Sequence, residues 1–282
     1  MLRTCRQLWQ TYGSRSLTFC LVALITFAIS LHLPLAVKAL DWRDLLRIIP
    51  SAIQIIQLSN LSDADEVALG QSIDRQIKTQ VRISHNSRAN KLVQDLGQLL
   101  VRSSDRPDIP YTFQVVEDRS LNAFATMGGF VYVHTGTIAA ADNLAQLASV
   151  IAHEIGHIAG KHALEQMRQM AIARGIATVA GVQDDRLVNL GVQLALRLPR
   201  SREDEFDADR RGVFNLARAG FAPQAMPAFM EKLEQGSGAT FLSTHPATAD
   251  RIAALNEIIR QHNLTGTIGL NDREYQQEWR KL

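Results

Sequence analysis

Three observations predict a mostly helical α+β fold. Apolar residues recur at helical spacing along most of the chain, one region between 111 and 136 alternates as strands do, and Gly128 and Gly129 punctuate that region as a hairpin turn would. At 282 residues, 46% hydrophobic and 21% charged, the chain has apolar material for a sizeable core. That composition excludes a disordered polymer.

Residues 1–39 stand apart. They hold Arg3, Arg6, Arg15 and Lys38, no acidic residue, and the apolar run LTFCLVALITFAISL from Leu17 to Leu31. A basic start, an apolar middle and small residues at Val37 and Ala39 predict a signal peptide, with a mature chain beginning at Leu40. The run falls short of the about 20 residues that span a bilayer, so an N-terminal anchor is the alternative. Cys5 and Cys20 both lie in this leader, so the mature protein is expected to form no disulfide. Without the leader, 26 basic residues face 28 acidic ones, and the net charge of +2 gives no reason to expect a nucleic-acid partner. The expected setting is periplasmic or otherwise extracytoplasmic, with anchoring or membrane-surface association through the apolar segment as the variant.

The remaining elements follow in order. Residues 40–61, with Pro50, read as a lead-in. Ser62 and Asp65 have capping-box spacing ahead of Val67, Leu69, Ile73 and Ile77, which predicts a helix. A second helix is predicted from about Ser87 to Val101, carrying Leu92, Val93, Leu96, Leu99 and Leu100, and RPDIP breaks it. YTFQVV at 111–116 and NAFATMGGFVYVHTG at 122–136 read as strands. A helix is expected from Asp142 to about Met170. Residues 171–199 form two apolar, Gly-punctuated halves, each too short for a bilayer and so expected as buried or interfacial helices. The acidic stretch SREDEFDADRRG follows, then a helix near 223–235 with Pro223 at its start, a loop GSGATFLSTH, and a last helix opened by Pro246. The catalytic domain is expected over 62–262, with 263–282 as a tail.

The chemistry concentrates in SVIAHEIGHIAGKH, Ser149–His162. Residues four apart share a helix face, so His153 and His157 can aim their rings at one point. Two neutral imidazoles suit Zn²⁺, and Glu154 can take a proton from a water whose pKa the metal lowers. With 8 His and 11 Glu in the chain, chance supplies about 0.01 such matches. Val150, Ile151, Ala152, Ile155 and Ile158 surround the motif, and burying its three polar side chains without a partner would be costly.

Hydrolysis needs a third protein ligand and one open position. The HExxHxxGxxH pattern would put a histidine at 163, where Ala163 stands; His162 is one place early and is expected as a supporting or surface side chain. A carboxylate from the acidic stretch is the other route. Helical spacing allows Glu205 with Asp209, and by spacing alone Glu203 with Asp207 serves as well.

SREDEFDADRRG resembles the S-R-x-x-E-[FY]-x-A-D segment of the zinc endopeptidase family that includes the CAAX prenyl proteases, the heat-shock peptidase HtpX and the periplasmic peptidase BepA. HEIGH is similar to that family's metal helix, NAFATMGGFVYVHTG to its strand pair beside the cleft, and THPATADRI to its H-P-x-x-x-x-R-I segment. The four motifs, in order, cover about Ser62–Ile259. The resemblance implies a gluzincin-like fold with a small sheet beside the HExxH helix. It also implies Glu205 as third ligand, Asp209 as its supporting carboxylate, and His245 near the cleft, as an oxyanion donor or as an inhibitory ligand. Arg251 is expected to pair with a carboxylate or help hold the cleft. Membrane-embedded relatives carry several spanning helices, and the longest apolar run here is in the leader, which argues against prenylated substrates.

These readings converge on an exported zinc endopeptidase with one Zn²⁺ per chain, held by His153, His157 and Glu205, with Glu154, Asp209 and His245 as catalytic residues. The expected substrates are unfolded or extended polypeptides of misassembled exported proteins. Asn122–Ala125 and Gly129–Val131 are expected to offer an open edge on which such a chain adds as a strand. The rival reading is a metal-stabilised periplasmic chaperone or assembly factor that seldom cuts.

Overall fold

The computed structural model describes residues 61–173, 185–234, 239–246 and 248–282, all within one compact unit. The expected leader 1–39 and nearly all of the lead-in 40–61 lie outside the described residues. So do residues 174–184 of the apolar halves, residue 235 of the helix expected near 223–235, and residues 236–238 of the expected GSGATFLSTH loop.

Helices α1 (Asp63–Ile77) and α2 (Ser87–Val101) begin where side chains can satisfy their first N–H groups. Ser62 Oγ accepts from the Asp65 N–H at 3.2 Å, and Asn86 Oδ1 accepts from those of Arg88 and Ala89 at 3.1 Å. Three strands follow: β1 (Thr112–Val116), β2 (Ala123–Thr126) and β3 (Phe130–His134). β2 and β3 form the expected hairpin, in which Gly128 (φ 74°) and Gly129 (φ 94°) take the left-handed backbone open to glycine. At Gly129 a Cβ would also fall 1.9 Å from the Pro110 carbonyl oxygen.

The sheet order is β1-β3-β2, with β1 parallel and β2 antiparallel to β3. This corrects the expectation that Gly129–Val131 lies on an open edge: β3 is the central strand, hydrogen-bonded on both sides. Alternating residues mark a strand but say nothing about which neighbours it takes. Among the described residues, β2 is the edge strand on the side of β3 away from β1. The outer side of β1 is bridged by the segment around Ile83, whose neighbour Ser84 donates its N–H to the Val115 carbonyl at 2.8 Å.

Among the described residues the chain then continues through α3 (Thr135–Ala140), α4 (Leu144–Ala159), α5 (His162–Ala173), α6 (Asp185–Arg197), α7 (Arg202–Arg218), α8 (Ala225–Glu234), α9 (Ala239–Thr244) and α10 (Thr248–Gln261). Because successive strand residues face opposite ways, Phe113, Val115, Ala123, Ala125, Val131 and Val133 join one apolar cluster with α2, α4, α7 and α8. Phe124, Phe130 and Tyr132 join another with α1, α5 and α6. Helix α4 is buried from Ala145 to Ile158 on every face, as expected of a helix apolar all round.

Three expectations change. The single helix expected from Asp142 to Met170 is two, α4 and α5, separated at Gly160 and Lys161, the latter with φ 55°. α9 lies inside the expected GSGATFLSTH loop, and α11 (Asp272–Trp279) lies inside the expected tail, with Tyr275 and Trp279 buried in the first cluster. Helices of six to eight residues carry too few turns to show a period. The expected buried helix after 184 is present as α6, with Leu187, Leu190, Val192 and Leu194 inside. No helix among the described residues is long and apolar enough to cross a membrane.

Candidate metal centre

Helices α4 and α7 cross in close contact, and glycine permits it. A Cβ at Gly156 would fall 2.6 Å from the Ala208 carbonyl oxygen. Ser201 caps α7, its Oγ accepting the Asp204 N–H at 3.1 Å. With Ala208 packed on Gly156, Glu205 and Asp209, one turn apart, lie on the side turned to α4 and are buried, while Glu203 is exposed and Asp207 half-buried. The two pairs that spacing left equivalent are thereby separated.

His153, His157, Glu205 and His245 bring one donor atom each to a single point, all within 4.8 Å of one another and all buried. Nε2 of His153 lies 3.0 Å from Nε2 of His157 and 3.5 Å from Glu205 Oε2, and Nε2 of His157 lies 3.3 Å from Glu205 Oε1. A tetrahedral zinc with bonds of about 2.0–2.2 Å spaces its ligand atoms by about 3.3–3.6 Å. His245 supplies the fourth corner, its Nδ1 3.3 Å from His153 Nε2 and 3.0 Å from Glu205 Oε1.

The neighbours orient these donors. Asp209 Oδ1 lies 2.9 Å from Nδ1 of His153; an ionised carboxylate so close favours the tautomer that keeps its proton on Nδ1, which leaves the lone pair of Nε2 directed at the shared point. Arg251, buried on α10, grips Asp209 with Nε and Nη2 at 2.7 and 2.8 Å and reaches Glu205 Oε2 with Nη1 at 2.6 Å. His162, at the start of α5, is buried against His157.

Burial pushes the pKa of His157 well below that of a free imidazole, which keeps the ring neutral and able to ligate. Burial also pushes the Glu205 carboxyl up, but the neighbouring His245 and His157 rings outweigh it and bring Glu205 well below the carboxylate range. Asp209 is likewise pushed up by burial and brought lower overall by Arg251 and His153. Neutral imidazole lone pairs and an ionised carboxylate meeting out of water are the donor set of a cation site. A further sign is Glu154. It is 1% exposed, neither carboxylate oxygen has a hydrogen-bond partner, and Oε1 lies 3.6 Å from Nε2 of His245. A buried carboxylate left this way is costly unless a polar ligand completes the site.

β2 runs beside the cluster. Its alternate carbonyls, Ala123 and Ala125, point away from β3. Nε2 of His245 lies 3.4 Å from the first, and Nη2 of Arg200 donates to the second at 2.9 Å. The backbone N–H of Arg200 donates to the Thr244 carbonyl at 3.0 Å, which ties the segment before α7 to the one carrying His245. Burial lowers the pKa of Arg200. Sequence reasoning assigned Arg200 no part. The only signal was its position beside Ser201 in the acidic motif.

A family profile described as Peptidase family M48 matches residues 87–259, the span that contains every residue of this cluster. The chain is 31% identical over 223 residues to the putative beta-barrel assembly-enhancing protease of Vibrio cholerae, covering 72% of this chain and 46% of that protein. It is 30% identical over 213 residues to the beta-barrel assembly-enhancing protease of Escherichia coli, covering 69% and 44%. Against the mitochondrial metalloendopeptidase OMA1 of Arabidopsis thaliana it is 36% identical over 149 residues, covering 51% and 30%. The chain thus spans less than half the length of these relatives. With the profile matched over more than half of its residues, and the buried histidine–glutamate cluster inside that match, the chain belongs to peptidase family M48.

Proposed function

We propose that this protein is a zinc endopeptidase acting outside the cytoplasm on unfolded or misassembled exported polypeptides. One observation carries the reading. Two imidazoles on α4 and a carboxylate on α7 converge at zinc-ligand spacing next to the unpaired, buried Glu154. In this reading His153, His157 and Glu205 hold the metal, which supplies Lewis acidity and a lowered water pKa when bound.

The chain's own residues do the rest. Glu154 takes a proton on a carboxylate oxygen and returns it to the leaving amine, the work of a general base turned general acid. Asp209, clamped by Arg251, keeps the His153 ring in one plane and one tautomer. His245 fills the fourth corner in the arrangement described, so it must give up that corner before water and a substrate carbonyl can enter. The substrate reading is supported by the extended edge of β2 beside the cluster and by the names of the bacterial relatives, which are proteases of β-barrel assembly. The predicted signal sequence supports an extracytoplasmic setting.

A second reading has one observation in its favour. Both outward carbonyls of β2 are engaged by Arg200 and His245, so a protein that binds clients elsewhere and seldom cuts would look similar. Incubation with an unfolded substrate, with and without chelator, separates the two. The Glu154→Gln variant is expected to keep its zinc and lose about 10²–10⁴-fold in cleavage, the range of a general base. Cleavage at the wild-type rate by this variant would remove Glu154 as the base.

A further inference from the structure

The motif pattern implies a supporting carboxylate for the first zinc-site histidine; for the second, spacing left His162 open between a supporting and a surface role. An unbroken helix would carry residue 162 about 140° around the axis from His157, away from it. The chain instead turns at Gly160 and Lys161, where Lys161 takes φ 55°. This turn sets Nδ1 of His162 2.9 Å from Nδ1 of His157, both rings buried and 79° apart in plane. On its far side, Nε2 of His162 lies 3.2 Å from Asp207 Oδ2 on α7. Asp207 is in turn held by Arg210 Nη2 at 3.0 Å and by Arg211 Nε at 2.5 Å.

Proton accounting orders this chain. The carboxylate of Asp207, paired with two guanidinium groups, only accepts. Nε2 of His162 must then donate, which leaves a lone pair on its Nδ1. At 2.9 Å the facing Nδ1 of His157 has to be the donor. A histidine with its proton on Nδ1 has a bare Nε2, and in His157 that atom faces Glu205 and His153. We propose that His162, steered by Asp207, is the positioning residue for His157: it selects the tautomer and ring plane in which His157 ligates the metal. The pair does for the second imidazole what Asp209 does for the first. This inference rests on the metal reading above.

Glycine at 160 belongs to the same device. Its backbone is helical, so alanine fits there, but a Cβ would fall 2.3 Å from Nε2 of His162. The Gly160→Ala change therefore displaces the supporting ring without touching any ligand.

The test is zinc affinity of the metal-stripped full chain, measured by competition with a chromophoric chelator, beside the melting temperature of each metal-free variant. His162→Ala is expected to weaken zinc binding about 10–100-fold. His162→Gln keeps an acceptor oxygen for the His157 N–H and is expected to stay within about threefold of wild type. Asp207→Ala and Gly160→Ala are each expected to lose about tenfold. A purely structural role would lower the metal-free melting temperature in all four and show no rescue by glutamine. Should His162→Ala not fold, Asp207→Ala and Gly160→Ala decide the matter. Wild-type zinc affinity in those variants, from a wild-type chain that binds zinc, overturns the positioning role. A wild-type chain that binds no zinc overturns the metal reading itself and this inference with it.

Discussion

Replacing Arg251 with alanine removes one cation from between two carboxylates. Its guanidinium bonds Asp209 through two nitrogens at 2.7 and 2.8 Å and Glu205 through the third at 2.6 Å. Arg251 is 1% exposed, Asp209 2% and Glu205 0%, so bulk solvent does not compensate for the lost cation. Breaking a buried pair of this kind costs about 3–5 kcal/mol, chiefly because the partner charge stays buried without compensation. For a chain of this size each kcal/mol lowers the melting temperature by about 2–4 °C, giving a fall of about 6–20 °C. The assay is thermal unfolding followed by circular dichroism, with the protein stripped of metal and again with zinc added. The drop is expected to be larger in the stripped protein, because a cation among the donors partly replaces the missing charge. Removing Asp209 as well should recover part of the loss, since one of the two stranded carboxylates goes with it, and a double-mutant cycle reads that coupling directly. A metal-free Arg251→Ala protein melting within about 2 °C of wild type would refute the reasoning.

Other consequences are open to simpler tests. Gly156→Ala sets a methyl group 2.6 Å from the Ala208 carbonyl oxygen and should push α4 and α7 apart. A destabilisation of about 1–3 kcal/mol is expected in chemical denaturation, along with weaker zinc retention on dialysis. His245→Ala empties the fourth corner of the cluster and is expected to raise the initial rate on an unfolded peptide several-fold, at least to about the threefold level that a kinetic assay resolves; a fall in rate would make His245 a catalytic donor instead. His134, buried at the end of β3 beside Ser120 and Asp118, has its pKa pushed below 6.5 by burial. The unfolded chain then binds the proton more readily, so this residue's contribution is full above pH 6.5 and is lost as pH falls through the folded value. The metal-free His134→Gln protein should therefore lose less stability than wild type between neutral pH and pH 5, as read by urea midpoints.

Much of this architecture is legible in the chain because local chemistry dictates it. Ser62 starts the helix it caps, the glycine pair at 128–129 makes a turn that other residues resist, and the four-residue spacing of His153 and His157 puts them on one face whatever surrounds them. What stayed hidden depends on tertiary context. Nothing local marks Lys161 for a left-handed backbone; the turn there is fastened from elsewhere, by Arg106, which donates to the buried Glu66 at 2.9 and 2.8 Å and to the Ile158 carbonyl at 3.4 Å. His162 could not be read as a neighbour of His157 without that turn. Spacing alone could not choose between Glu205 and Glu203, because helical periodicity repeats without saying which face is buried; the motif resemblance pointed to Glu205, and the packing of Ala208 on Gly156 is what turns that face inward. The strand order escaped for a related reason: β1 reaches β3 past β2, a decision made by how the two faces of the sheet are covered.

A sheet border with free acceptors invites any passing polypeptide to extend it, including another molecule of the same protein. On β2 the two acceptors that could do so are both spoken for, one by a guanidinium and one by an imidazole that also belongs to the metal cluster. Because a single side chain, His245, serves both the border and the cluster, freeing the Ala123 carbonyl and clearing the fourth corner become one event, while Arg200 keeps hold of the Ala125 carbonyl. In this arrangement the molecule is sticky only when it is also armed.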